Sequence, residues 1–362
     1  FKDMRVFKVM FTAIIVAMTL IFLSSAMDLL DYNLIWVPPT YLWPGIVGGL
    51  IMGVGFIIGG FCPGTSLVGM ATGKLDAIMF VFGVLFGIYL FGETVGSFAT
   101  FFESSYMGRF TLPELFNASY GVVVICIVVA ALLLFLLAEK VETMVNDGPS
   151  QKLPGWSKPA ALALVALAAV TLVMGQPTSE DRWQAVEAES EARLDQRELQ
   201  ISSAEFLQYR DDKKIKIIPL DVRDERDYNL FHLRGAVHVP LDQVQAKAKE
   251  LHFEPANTVF VTISNDEGEA TEAWKILRAE SVPNIYILEG GINAWLKTYA
   301  GDSLDEADRV RNRQEDQLAY RFKAATGARN PAAEPEPDLL NLEFEPKIIL
   351  EMKRAPASGG CG

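Results

Sequence analysis

Long apolar runs separated by short polar connections fill the first half of the chain, and the second half alternates short β-type runs with helix-type runs. The apolar stretches run from about Val9 to Ser25, Gly45 to Phe61, Ala77 to Ala99, Tyr120 to Ala138 and Ala160 to Met174. Each comes close to the roughly 20 residues that an α-helix needs to cross a hydrocarbon core. The fourth is the clearest, since Val122 to Leu137 holds no polar residue except Cys126. About five transmembrane helices are therefore predicted, in a segment spanning residues 1–178. Residues 179–200 are charged and helix-favouring, with Trp183, Val186 and Leu194 as sparse apolar positions. They predict a connecting helix that lifts the following domain off the membrane. From Ile201 to residue 300 the runs Ile215–Val222, Thr258–Ile263 and Asn284–Leu288 read as buried parallel strands with helical patterns between them, predicting a doubly wound α/β domain. Residues 301–362 read as an extension: a charged helix over Leu304–Ala325, a Pro/Ala/Glu linker around Asn330–Asp338, a strand-like run over Leu342–Met352 and a flexible tail.

Composition adds orientation. The chain is 50% hydrophobic with a net charge of −13, and the charge sits mainly in the second half. An acidic, solvated surface argues against nucleic acid as a partner. Lys2, Arg5 and Lys8 precede the first span, Lys74 lies between the second and third, and Lys140, Lys152 and Lys158 lie between the fourth and fifth; Arg109 is the one Lys or Arg in the opposite loops between spans. The positive-inside rule then puts the N-terminus in the cytoplasm and everything after Met174 outside it, in the periplasm if the source is bacterial and the membrane the inner one. No small-residue cleavage site follows the first apolar run, so no cleavable signal peptide is expected. The chain opens on Phe1 rather than Met, which leaves room for residues upstream. The three cysteines, Cys62, Cys126 and Cys361, share no paired spacing and have no clustered His beside them, so neither a disulfide framework nor a metal site is expected, and no cofactor is implied. Cys126, among Val and Ile, reads as a small hydrophobe.

The second span carries candidate chemistry. Gly45, Gly48, Gly49, Gly53, Gly55, Gly59 and Gly60 give overlapping small-xxx-small spacings, which let helix backbones approach closely. They do not explain Cys62-Pro63-Gly64-Thr65-Ser66. Pro63 lacks an N–H and Gly64 tolerates unusual dihedrals, so a break is expected after Cys62, with Thr65 or Ser66 capping a re-entrant half-helix that runs to Gly73. A broken helix at membrane depth is tolerated where it is buried in protein or lines a cavity, and half-helix N-termini are a recurrent way to hold anions; a simple packing kink is the alternative.

The stretch Gly45–Gly73 resembles the YeeE/YedE sulfur-transport family, whose members import thiosulfate or related species. The resemblance covers about the first 140 residues and implies a substrate path through Cys62, Pro63, Gly64, Thr65 and Ser66. Family members carry two such motifs, whereas this chain has one. It therefore resembles a half-size member, completed by a homodimer or a second half-size membrane subunit.

In the second half, Leu220-Asp221-Val222-Arg223, then His232-Leu233-Arg234-Gly235-Ala236-Val237-His238-Val239-Pro240, then Leu288-Glu289-Gly290-Gly291-Ile292-Asn293-Ala294-Trp295 resemble, in order, the signature segments of the rhodanese sulfurtransferases. In that family a cysteine ends the central strand and a six-residue loop follows it. Here Ser264 holds that position and the loop reads Asn265, Asp266, Glu267, Gly268, Glu269, Ala270. A serine cannot carry a persulfide, and three carboxylates would repel an anionic donor. The loop is thus degenerate, no catalytic residue is assigned, and the domain reads as a binding or assembly module.

The terminal Gly359-Gly360-Cys361-Gly362 resembles the glycine-flexible arm of the periplasmic Sox sulfur carrier, which would make Cys361 a sulfur carrier; an intermolecular disulfide, a lipid anchor or no role are the alternatives. The fold expected is an α-helical membrane bundle with a re-entrant half-helix, followed by an α/β rhodanese-like domain. The expected function is transport or trafficking of a small reduced-sulfur anion in contact with membrane lipid, with a periplasmic sulfur-metabolism complex as a further partner. The alternative is a non-transporting docking subunit of a larger membrane complex.

Overall fold

The computed structural model describes residues 5–35, 37–108, 110–145, 155, 157–210, 212, 214–301, 304, 309–310, 313–335 and 343–350. Among these, the segments Lys8–Ala26, Leu42–Ala71, Leu75–Phe102, Tyr120–Val141 and Ser157–Met174 are long and apolar enough to cross a membrane. All five predicted spans fall inside them. The helices of this half are α1 (Arg5–Ala26), α2 (Leu42–Gly59), α3 (Pro63–Ala71), α4 (Leu75–Thr94), the short α5 (Ala99–Phe102) and α6 (Leu112–Phe116), α7 (Tyr120–Val145) and α8 (Ser157–Met174). The chain divides into two compact units, one of residues 36–111 and one of residues 1–35 with 112–353.

In the 36–111 unit, α2 and α3 form one apolar segment interrupted by three residues. The left-handed Gly60 (φ 71°) closes α2, its N–H bonded to Phe56 O, and Cys62 is extended. Pro63 sits at the first helical position of α3, where a missing N–H costs no hydrogen bond. The half-helix then packs on α4: a Cβ at Gly69 would fall 2.6 Å from Ala77 Cβ, and the Phe61 and Phe80 rings lie 5.8 Å apart. Among the described residues of this unit, no atom beyond the chain neighbours and adjacent α2 backbone comes within 4 Å of where a Cβ would stand at Gly45, Gly48, Gly49, Gly53 or Gly55. The close approach those glycines permit is therefore not used inside the unit.

In the other unit, α1, α7 and α8 bury Ile15, Val124, Val128, Ala131 and Ala168 among themselves. Where α1 and α8 end, Ser25 Oγ donates to Gln176 Oε1 (2.7 Å) and Gln176 Nε2 donates to Phe22 O (3.2 Å). Helix α9 (Ser179–Asp195) follows at once, its N-terminus closed by reciprocal bonds between Thr178 and Asp181. The expected spacer is instead a docked helix. Trp183 and Leu194 pack on the core of the α/β domain beneath α13, because even sparse apolar positions are worth burying when a partner face is available.

The α/β domain continues with β1 (Gln200–Ile201), α10 (Ser203–Arg210), β2 (Lys216–Asp221), α11 (Glu225–Leu230), β3 (Val237–His238), α12 (Val244–Leu251), β4 (Thr258–Ile263), α13 (Gly268–Ala279), β5 (Ile285–Leu288) and α14 (Gly291–Tyr299). Five parallel strands lie in the order β1-β5-β4-β2-β3. The central β4 is buried throughout. Val259, Val261 and Ile263 face one core with Phe206, Ile292 and Trp295, while Phe260 faces the other with Trp274 and Leu277. That period-two split is what a strand covered on both faces requires.

A polar clasp joins this domain to the segment after α1. Asp31 Oδ2 accepts from Ser281 Oγ, and Asn33 Nδ2 donates to Glu280 Oε2 at 3.4 Å. Arg182 Nη2 pairs with the same Glu280 oxygen at 2.8 Å. Lys249 Nζ reaches Glu114 of α6 at 2.8 Å.

The extension departs from its predicted elements. Residues 313–325 are turns and isolated bridges rather than helix, with Arg309 and Tyr320 in an antiparallel bridge. Leu318, Tyr320 and Phe322 pack on the domain core, so tertiary burial overrides the helical propensity of the charged run. The expected linker begins with an ordered turn, Pro331–Ala333, whose Ala332 and Ala333 are buried and whose Ala332 O accepts from Trp295 Nε1 at 2.7 Å. Residues 343–350 form no strand; Ile348 and Leu350 pack on the core, and Ile349 N donates to Tyr286 Oη at 2.8 Å. Residues 336–342 and 351–362, and Cys361 with them, lie outside the described residues.

Candidate functional site

Two sites gather the chemistry-bearing residues. At the α2–α3 break the cap is Cys62, not Thr65 or Ser66. Cys62 Sγ accepts from Thr65 N at 3.4 Å and Thr65 Oγ1 accepts from Cys62 N at 3.0 Å, a reciprocal capping box. The reason is Pro63: once it occupies the first helical turn, the residue before it becomes the cap. Ser66 is buried and donates to Pro63 O at 2.7 Å. Cys62 through Ser66 thus form one local structure, with a half-buried thiol set against the backbone N–H groups that open α3. Those donors and the helix dipole favour negative charge at this end. Cys126 is exposed in α7 and belongs to neither site.

The second site is the loop from Ser264 to Glu269, between β4 and α13. Beneath it lies a buried ion pair from the Leu220–Arg223 segment. Arg223 Nε and Nη2 reach the two Asp221 oxygens at 2.9 and 2.7 Å, and Nη2 also donates to Phe231 O at 2.7 Å. Its Nη1 donates to Asn265 Oδ1 at 3.1 Å, so the pair supports the loop directly. From the other side, Ile292 N and Asn293 N donate to Ser264 O and Asn265 O, each at 2.9 Å. Gly291 (φ 56°) is required there, since a Cβ would fall 2.1 Å from Asp266 O. His232 and His238 are engaged in the frame, through Nδ1 with Tyr228 O and Nε2 with Arg223 O, each at 2.8 Å. Burial, then the Asp221 carboxylate, push the Tyr228 hydroxyl above its ordinary pKa.

Ser264 stands at the first loop position, fully buried, and its Oγ has no hydrogen-bond partner among the described residues. The loop carboxylates are each dealt with separately. Glu267 pairs with Arg197 at 2.6 Å and accepts from Gly290 N at 2.7 Å. Asp266 pairs with Arg313 and accepts from Asn293 Nδ2 at 2.9 Å. Partial burial pushes Asp266 up, but the bonds from Arg313 and Asn293 outweigh it and hold the pKa below its ordinary value. Glu269 is pushed above its own, by burial first and then by Asp316, Asp224 and Asp227. Among the described residues no cluster of His, Cys, Asp or Glu side chains is arranged to hold a metal ion.

Sequence reasoning missed Arg313, Asp316 and Asn293, which surround this loop. Asp316 accepts from Asp266 N at 2.6 Å and from Glu269 N at 2.5 Å. Its position in a charged run gave no signal, because the contact depends on a turn that brings residue 316 back over residue 266.

Comparison with known proteins matches residues 1–203 to a family model described as Sulphur transport and residues 202–298 to one described as Rhodanese-like domain. Over 86 residues, 24% of this chain and 76% of the relative, the chain is 24% identical to the thiosulfate sulfurtransferase GlpE of Pseudomonas entomophila (strain L48). The solution structure of a rhodanese-like domain from an Anabaena protein aligns with 35% of this chain and 98% of its own length, at 22% identity and a TM-score of 0.25.

Proposed function

Since the chain belongs to the sulphur transport family and carries a rhodanese-like domain behind the family's segment, we propose that it conducts a small reduced-sulfur anion, thiosulfate foremost, past the Cys62–Ser66 break. The observation that carries this reading is the cap itself. A thiol occupies the N-terminus of a half-helix inside an otherwise continuous apolar span, where a sulfur anion would meet the α3 backbone donors and the Cys62 S–H together. The uncovered glycines of α2 fit a second copy or a second half-size subunit, because glycine on a lipid-facing helix otherwise contributes little packing.

The rhodanese-like domain is read as a non-catalytic module outside the cytoplasm. The absent thiol at Ser264 supports the first part, and the basic residues Lys8, Lys74, Lys140 and Lys158 support the second through the positive-inside rule. The contacts of Asp31 and Glu114 with this domain agree with the span count, which returns both segments to the side of residue 175. In this reading Cys361 receives or delivers sulfur outside the membrane, which mass measurement of the purified protein and of its C-terminal peptide tests: added sulfur on the Cys361 peptide supports it, and an unmodified Cys361 after thiosulfate exposure counts against it.

The experiment for transport is uptake of radiolabelled thiosulfate into vesicles carrying the protein. Uptake above protein-free vesicles is expected, and its absence in reconstituted homodimers and mixed complexes alike would remove the reading. The Glu280 clasp favours a second reading, a docking subunit of a larger membrane complex, since a domain fixed at the membrane presents a fixed surface. Isolation in mild detergent separates the two: a stoichiometric set of unrelated subunits supports docking, and a homodimer or half-size pair supports transport.

A further inference from the structure

The edge strand β1 is too short to cover its neighbour. It pairs with β5 at Gln200–Ile287 and Ile201–Leu288, so Ile285 and Tyr286 lie beyond its first residue. A cavity of about 230 Å³ lies beside this stretch, walled by α9, α13 and the extension. Four-residue spacings bring its charged groups together. Glu189 and Arg193 share one face of α9, Trp274 and Arg278 share one face of α13, and both pairs line the cavity. Leu199, Trp274, Val282 and Ile285 line it as buried side chains, and Ile349, 75% exposed, lines it from the extension.

Most polar groups of the lining are engaged within the protein. Trp274 Nε1 donates to Ile285 O at 3.0 Å, and Asn284 Nδ2 donates to Thr258 O at 3.2 Å. Tyr286 Oη donates to Ile349 O at 3.1 Å and accepts from Ile349 N at 2.8 Å. Arg193 gives Nε to Glu198 at 3.3 Å, which uses one of the five donors of a guanidinium. The side chains of Glu189 and of the half-buried Arg278 make no hydrogen bond or ion pair among the described residues. What remains for a ligand is one carboxylate, guanidinium N–H groups and an apolar floor.

We propose that the cavity binds a free α-amino acid with an apolar side chain. The ligand's carboxylate meets Arg278 and Arg193, its ammonium meets Glu189, and its side chain lies along Trp274, Leu199 and Ile285. A plain anion would face Glu189 and a plain cation would face two guanidinium groups, so one ligand carrying both charges suits the walls. Size agrees: a cavity of about 150 Å³ holds a benzene and drug-sized ligands take about 300 Å³ or more, and this one falls between. Since α9 starts at Ser179, directly after α8 ends at Met174, the bound ligand ties the helix that leaves the last span to the domain and to the extension. The site is independent of the passage proposed at Cys62.

The test is calorimetric titration of the full chain in nanodiscs with L-methionine, its amide, its N-acetyl derivative, glycine and sodium sulfate. L-Methionine is expected to bind saturably with a Kd of about 1 mM or tighter, the strength of two charge-assisted contacts. The amide lacks the carboxylate and the N-acetyl derivative lacks the ammonium, so each is expected to bind about tenfold or more weakly. Glycine, without the apolar side chain, is expected to lose about as much. Glu189→Gln and Arg278→Gln should each weaken L-methionine by about tenfold, whereas Glu189→Gln should leave the N-acetyl derivative unaffected and Arg278→Gln the amide. Hydrogen exchange of β4, unchanged in both variants, reports that the domain is folded. No saturable binding of L-methionine at about 10 mM, tenfold above the expected Kd, would overturn the proposal. Equal binding by wild type and both variants would overturn it too, as would sulfate that binds as tightly as L-methionine.

Discussion

Asp221→Asn removes the charge opposite Arg223 while keeping nearly the same volume. The Asp221 side chain is 0% exposed and that of Arg223 1%, so solvent neither screens the pair nor compensates its loss. Arg223 donates to both Asp221 oxygens, Phe231 O and Asn265 Oδ1. The asparagine amide would turn one acceptor into a donor facing a guanidinium N–H. Breaking one partner of a buried pair costs about 3–5 kcal/mol, which is roughly two to nearly four powers of ten in the opening equilibrium. Replacing both partners by apolar residues, Asp221→Leu with Arg223→Met, leaves no orphan charge and is expected to cost no more than the single change. The assay is hydrogen exchange of β2 and β4 in the full chain under increasing urea, which reports the domain's opening free energy separately from the membrane helices. A cost below about 1 kcal/mol for Asp221→Asn, or a double variant as damaging as the sum of its parts, would refute the reasoning.

Three further outcomes follow from the site. Gly291→Ala sets a Cβ 2.1 Å from Asp266 O at a φ of 56°; from left-handed strain and overpacking together it should lose about 2–5 kcal/mol in the same urea experiment, and a tolerated alanine would contradict the packing. Asp266 and Glu269 should act oppositely with pH. The folded pKa of Asp266 is lowered, so its contribution is present above its ordinary value and lost as pH falls through the folded one; Asp266→Asn should flatten the acid limb of domain stability. The folded pKa of Glu269 is raised, so its contribution is complete below its ordinary value of 4.5 and is lost as pH rises through the folded one; Glu269→Gln should increase protection of the loop at neutral pH, and a decrease would contradict the assignment. The wild-type protein should form no thiocyanate from thiosulfate and cyanide above background, because Ser264 cannot hold the transferred sulfur; measurable turnover would restore an enzymatic role.

Much of the frame was legible because long-period signals carry it. The apolar runs marked the five candidate spans among the described residues, and the run Thr258–Ile263, β-branched at every position but Phe260, marked the central strand. The two-residue strands β1 and β3 were not legible, since two residues carry no period. At the break, the order Cys62-Pro63 announced the interruption, but the cap was misassigned because a thiol is a poorer acceptor than the hydroxyls that follow it. The extension misled most: residues 313–325 of a charged run with helical propensity proved to be turn-rich, held by Leu318 against the core and by Asn293 on their backbone. The loop sequence placed Ser264 where the family resemblance expects a cysteine, yet the carboxylate that accepts from the loop backbone comes from 50 residues downstream of Asp266, beyond the reach of any local pattern.

The central claim is that Cys62 serves the passage of a sulfur anion rather than only closing α3, and Cys62→Ser separates those roles. A serine hydroxyl is the stronger helix cap and should preserve the break, while the thiol is gone. The deciding measurement is the initial rate of labelled thiosulfate uptake into proteoliposomes containing wild type, Cys62→Ser or Cys62→Ala at matched protein content. Uptake reduced about tenfold or more in both variants, with the folded fraction unchanged, is the predicted result, taking the thiol's contact as equivalent to at least one hydrogen bond to a charged group. Wild-type rates in both variants would contradict the account and leave Cys62 a structural cap.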